Sequence, residues 1–135
     1  MKFSRQPNGK WCGYSTISDS FYCAHLDEKH LVEEVIKDIV HIDSACGNIP
    51  SPQEEKALIQ YLNGVAMRAE GRIASLLENG GYDFDNIIEE FTYDGDDKQT
   101  RAYWVKKFKL MGAGKEQMDK VNKRIDRLQE NGELK

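Results

Sequence analysis

Two hydrophobic rhythms divide this chain. Over residues 1–26 the apolar positions sit in short, aromatic- and Thr-rich runs, whereas from residue 27 onward they recur at three- and four-residue steps. The first rhythm suits a pleated, half-buried sheet and the second an amphipathic helix. Phe3-Ser4-Arg5 leads into Gln6-Pro7-Asn8-Gly9-Lys10, where Pro presets φ and Gly accepts a left-handed conformation, so a β-hairpin with a bulge is predicted. The return strand is Trp11 to Ile17. Ser18-Asp19-Ser20 is a second turn signal, after which Phe21-Tyr22-Cys23-Ala24 can add a third strand and make a meander.

The helical part begins with Asp27 as N-cap. Leu31, Val32, Val35, Ile36, Ile39, Val40 and Ile42 form a wide stripe, expected to pack over the sheet, and Gly47 ends the helix. Ser51-Pro52-Gln53-Glu54 predicts a capping box at the start of a second helix. Its stripe of Leu58, Tyr61, Leu62, Val65, Ala69, Ile73, Leu76 and Leu77 runs to Asn79-Gly80-Gly81. Gly64 and Gly71 fall on nearly the same face, which predicts close approach of another helix there or a bend, and the same stripe can serve a dimer. A short acidic helix over roughly 84–92 shows Phe84, Ile87, Ile88 and Phe91. A fourth helix, capped by Asp96 with Gln99 as box partner, carries Trp104, Val105, Phe108 and Met111. After Gly112-Ala113-Gly114 a fifth shows Met118, Val121, Ile125 and Leu128 at heptad-like spacing. The expected fold is therefore α+β: an N-terminal antiparallel β-hairpin or three-stranded meander followed by four to five α-helices. A length of 135 residues fits a single domain, with the β part at 1–26 and the helical part at 27–135.

Composition adds exclusions. No apolar run approaches the roughly 20 residues that span a bilayer, and the first residues hold no signal-peptide core. Three cysteines (Cys12, Cys23, Cys46) with no C-x-x-C spacing read as reduced thiols, so a cytoplasmic protein is expected. Cys12, Cys23, His25 and His30 are the four side chains that zinc chemistry would want, but no knuckle spacing holds them, and no metal or cofactor is expected. The run from Asp94 fails as an EF-hand, having Gln99 where the loop needs Gly and Val105 where it needs Glu. No nucleophile motif, P-loop or dinucleotide fingerprint is present, and the chain reads as a non-enzyme.

Charge is what changes the functional picture. The net charge of −4 is split: residues 1–97 hold 8 Lys/Arg against 18 Asp/Glu, and residues 98–135 hold 11 against 5. Two candidate surfaces follow. The first is acidic, comprising Asp83, Asp85, Glu89, Glu90, Asp94, Asp96 and Asp97, whose carboxylates can imitate phosphates toward a Lys/Arg-lined groove, with Tyr82, Phe84 or Tyr93 as anchors. The second is basic with interleaved aromatics, and uses Arg101, Lys106, Lys107, Lys109, Lys120, Lys123, Arg124 and Arg127, with Tyr103 and Trp104 among them. Internal pairing of the two regions is the competing explanation.

The opening Lys2-Phe3-Ser4-Arg5-Gln6-Pro7-Asn8-Gly9-Lys10-Trp11-Cys12-Gly13-Tyr14-Ser15-Thr16, followed by an acidic helix, resembles the N-terminus of small uncharacterised accessory proteins of phages and mobile elements in Gram-positive bacteria. That resemblance implies an accessory role, either countering host defence or handling element DNA; it carries over no catalytic residues. The leading expectation is a non-enzymatic, anti-CRISPR-like inhibitor whose acidic face occupies a host nuclease effector. The alternatives are a nucleic-acid-binding regulator using the basic helices, and a homodimeric structural or assembly protein.

Overall fold

The computed structural model describes residues 1–92 and 99–134. Three strands, β1 (Lys2–Arg5), β2 (Trp11–Ser15) and β3 (Ser20–Leu26), are followed by five helices: α1 (Glu28–Ala45), α2 (Glu55–Asn79), α3 (Phe84–Glu90), α4 (Arg101–Leu110) and α5 (Lys115–Glu130). The fold is α+β with a three-stranded antiparallel meander in the order β1-β2-β3. The contacts group into two compact units. One holds residues 1–26 and 80–135, and the other residues 27–79.

In the first unit β2 is central and buried along its whole length. Residues 80–82 extend the pairing along the β1 edge: the Arg5 amide donates to the Gly80 carbonyl at 2.9 Å and the Tyr82 amide to the Phe3 carbonyl at 2.8 Å. The chain then enters α3, whose Phe84, Ile87 and Ile88, with Phe91 just beyond, are all buried as the pattern predicts. These join Cys12 and Tyr14 of the sheet, Trp104, Phe108 and Met111 of α4 and its end, and Met118, Val121, Ile125 and Leu128 of α5 in one core. The heptad-like seam of α5 is thus consumed inside its own unit, where α5 packs on α3 and α4. Phe108 sits at the centre, with ring centroids of Phe21, Phe84, Phe91 and Trp104 within 5.0–6.1 Å.

Local sequence explains most boundaries. Asp27 caps α1 through the His30 amide at 2.8 Å. Gly47, at φ +71°, closes it with a Schellman pair in which the Gly47 amide donates to the Ser44 carbonyl and the Asn48 amide to the Asp43 carbonyl. Two starts differ from expectation. The second helix begins at Glu55, because Ser51 is spent on a turn in which the Glu54 amide donates to the Ser51 carbonyl and the Gln53 amide to Ser51 Oγ. The cap of α4 is Thr100, whose hydroxyl accepts from the Tyr103 amide; Asp96, the expected cap, lies outside the described residues.

In the second unit α1 and α2 pair as a helical hairpin. Leu31, Val35 and Ile39 of α1 and Val65 and Ala69 of α2 are buried, but the wide stripe of α1 is split, since Ile36 and Ile42 are exposed. Polar clamps flank the apolar contact. Arg72 bonds Asp38 at 2.8 Å, and Asp43 accepts from Arg68 at 2.5 Å and from the Tyr61 hydroxyl at 2.9 Å. The Arg68 and Tyr61 hydrogen bonds hold the Asp43 carboxyl below its ordinary value, with Arg68 the larger influence. Gly64 and Gly71 do not mark a close helix approach: a Cβ at either position would meet nothing within 4 Å.

Candidate functional site

The site-forming feature of the first unit is a bulge. Trp11 pairs with Leu26 and Gly13 with Cys23, so Ala24 and His25 together oppose Cys12 alone. His25 adopts φ +60°, a left-handed conformation costly for a residue with a Cβ, and a bulge of this kind re-aims the side chain beside it. Gln6, 1% exposed, holds the bulge: its Oε1 accepts the His25 amide at 2.6 Å while its Nε2 donates to Asn8 Oδ1 at 3.1 Å. Asn8 in turn fastens the hairpin turn to the end of α4, its amide donating to the Met111 carbonyl and its Nδ2 to the Leu110 carbonyl. Gly112 is required there, because at φ +90° a Cβ would lie 2.7 Å from the Asn8 backbone nitrogen.

This bracing opens a groove between β3 and α4, of about 440 Å³, lined by Ala24, His25, Tyr103, Lys106, Lys107 and Leu110. Its walls combine exposed apolar surface (Tyr103 and Leu110) with exposed His25 and Lys106. Lys107 is half-buried, with its ammonium 5.1 Å from the Phe21 ring centroid, 5.7 Å from Tyr103 and 5.5 Å from Trp104. Such cation–π contacts hold a cation at the surface while retaining its charge. On the other side of Tyr103 and Lys107 a smaller polar recess is lined by Ser20, Phe21, Thr92, Gln99 and Trp104 as well. There the indole N–H of Trp104 and Gln99 Oε1 are buried, with no hydrogen-bond partner among the described residues.

The basic residues named from sequence divide into two groups. Arg101 is committed internally, bonding Asn122, Asp126 and Gln129. Arg124 is too, donating from Nε to the Phe91 carbonyl at 2.9 Å and from Nη2 to the Glu90 carbonyl, so that it caps the C-terminal end of α3. Lys106, Lys109, Lys123 and Arg127 are exposed and Lys107 and Lys120 are half-buried. Of these only Lys106 and Lys107 line the groove.

Of the four residues of the acidic surface that are described, three are engaged in structural contacts. Asp83 caps α3, accepting from the Asp85 amide at 3.0 Å, and Asp85 accepts from Gln117 at 2.9 Å. Glu90 accepts from the Tyr82 hydroxyl at 2.8 Å; burial first, and then this hydrogen bond, raise the Tyr82 phenol above its ordinary value. Glu89 is exposed; Asp94, Asp96 and Asp97 lie outside the described residues, as does Tyr93. Of the expected anchors, Phe84 is a core residue at 6% exposure, Tyr82 is half-buried and stacked on Tyr14, and Tyr93 lies outside the described residues.

The zinc candidates do not assemble either. Cys12 is buried, with its thiol donating to the Ser4 carbonyl at 3.6 Å, and burial pushes its pKa up to about 12. His30 turns to its own cap residue, Asp27. Among the described residues no group of three or more His, Cys, Asp or Glu side chains is placed to hold a metal ion, and no helix is long and apolar enough to cross a membrane. Sequence reasoning missed His25 as a groove residue, because a bulge leaves no reliable mark in a strand pattern. Comparison with family models, with curated proteins and with solved structures gives no match to this chain.

Proposed function

We propose that the protein is a non-enzymatic binding module that takes single-stranded nucleic acid along the β3–α4 groove. The observation that carries the reading is the exposed Tyr103 ring on the same wall as Lys106 and Lys107, with His25 on the other. Proteins that hold single strands without a sequence code combine a cationic track with an aromatic platform, each stacked base contributing about 1–3 kcal/mol. An accessory protein that handles element DNA would need a surface of this kind.

The test is fluorescence anisotropy with labelled single- and double-stranded oligonucleotides over a salt series. Binding is expected to prefer the single strand and to weaken as salt rises, because each neutralised phosphate releases counterions. Tyr103→Ala is expected to weaken binding about tenfold or more, and Lys106→Glu to flatten the salt dependence. Both residues are exposed, so the fold tolerates either change. Full retention by both variants rules the groove out.

A second reading, inhibition of a host nuclease through the acidic surface, is favoured by the exposed Glu89 carboxylate on α3. It predicts a protein captured from bacterial lysate that survives nuclease treatment and is lost on Glu89→Lys. A partner removed by nuclease treatment returns the argument to the groove.

A further inference from the structure

The helical hairpin keeps apolar surface that its own pairing does not use. Ile59 and Leu62 of α2 are each 53% exposed. A trough of about 440 Å³ between the helices is lined by Val32 and Ile36 of α1 and by Ala66, Ala69, Ile73 and Leu77 among the α2 residues. Glu70 is the one charged side chain among its lining residues. Position along α2 shows how this surface is organised. Residues 59, 62, 66, 70, 73 and 77 fall on one side of the helix, with large apolar side chains toward both ends and Ala66 and Glu70 near the middle.

From that arrangement we propose that the open face of the α1–α2 hairpin is a self-association surface, covered by the same face of a second copy in an antiparallel, two-fold dimer. A foreign partner needs no internal symmetry in the face it meets, whereas an isologous contact must be self-complementary. Turning a second α2 end for end about the level of residue 68 brings Ile59 and Leu62 of one copy beside Leu77 and Ile73 of the other. Ala66 of one copy then lies opposite Glu70 of the other, on either side of the axis. The extent is adequate. At about 1.5 Å rise per residue and about 10 Å width per helix, the 25 residues of α2 and 18 of α1 present about 650 Å², above the roughly 500 Å² per side that a specific interface needs. Four helices would then enclose what two leave open.

Charge sets the sign of the salt effect. Residues 27–79 carry 5 Lys/Arg against 10 Asp/Glu, and the two-fold axis brings the Glu70 carboxylates of the two copies toward each other. Screening therefore strengthens the dimer, opposite in direction to nucleic-acid binding, and the two readings fail separately.

The experiment is sedimentation velocity on the full chain over a concentration series at low and high salt. The expected result is a mass rising from 15.5 kDa toward twice that value with concentration, and at lower concentration when salt is added. Leu62→Lys and Ile59→Lys, at exposed positions, are each expected to weaken association about tenfold or more with far-UV circular dichroism unchanged. Glu70→Gln, which inserts no charge, is expected to strengthen association and flatten its salt dependence. Tyr103→Ala is expected to leave the mass unchanged. A concentration-independent monomer overturns the proposal, and so does a dimer indifferent to Leu62→Lys, Ile59→Lys and Glu70→Gln.

Discussion

Phe108 in the sheet-containing unit is wrapped by four aromatic rings and fully buried, whereas Leu62 on the helical hairpin, an equally apolar residue, is more than half exposed. The contrast follows from the number of layers each unit commands. Three strands and three helices can surround a core on several sides, so Phe84, Ile87 and Ile88 of α3, Trp104 and Phe108 of α4 and the seam of α5 all turn inward. Two helices can only face each other. Each then buries one narrow strip and leaves any wider apolar arc outside. The hairpin compensates with the Asp38–Arg72 and Asp43–Arg68–Tyr61 clamps, which set helix register by polar geometry where the closed unit relies on packing. The lesson is that apolar content does not predict burial; enclosure does.

The largest effect that can break this comparison is expected at Phe108. Phe108→Ala leaves a cavity among four rings and should cost about 3–5 kcal/mol. Urea unfolding followed by tryptophan fluorescence reads it cleanly, because both tryptophans, Trp11 and Trp104, belong to the sheet-containing unit. A change below about 1 kcal/mol would mean that this core is loosely packed after all.

Next comes the pH response of the hairpin. Asp43 has a folded-state pKa below the ordinary 3.8. A carboxylate lowered in this way contributes stability that is present above 3.8 and is lost as pH falls through the lower, folded value. Asp43→Asn should destabilise the hairpin at neutral pH and remove that part of the acid dependence. Thermal melts by circular dichroism between neutral and acidic pH check both points, and an unchanged acid limb in the variant would show that the clamp is electrostatically idle.

The smallest effect sharpens the comparison rather than breaking it. Gly64→Ala and Gly71→Ala add a methyl group into open space in a helix interior, and each should stabilise by about 0.5–1 kcal/mol. Both glycines lie on roughly the opposite side of α2 from Ile59, Leu62 and Ala66, so the proposed dimer should survive these changes. Loss of stability at either position would mean that a neighbour approaches α2 there.

What could be read from the chain directly was whatever is encoded within one turn or one strand. The meander, the acidic helix with Phe84, Ile87, Ile88 and Phe91, the Asp27 cap and the Gly47 stop all rest on contacts between residues a few positions apart, and each is present. The cap misassigned to Ser51 shows the limit of that reading: a Ser-Pro pair closes a turn as readily as it opens a helix, and the local pattern does not choose.

Tertiary structure decided the rest, because charge and burial are properties of neighbours. The sequence offered eight basic residues as equals, and only packing turned Arg124 into a cap for α3 and Arg101 into a tie across α5 while leaving Lys106 and Lys107 beside Tyr103. It offered two apolar seams as well, one on α5 and one on α2. The first vanished into a core and the second remained half open, since a helix buries its stripe only where other elements are present to surround it.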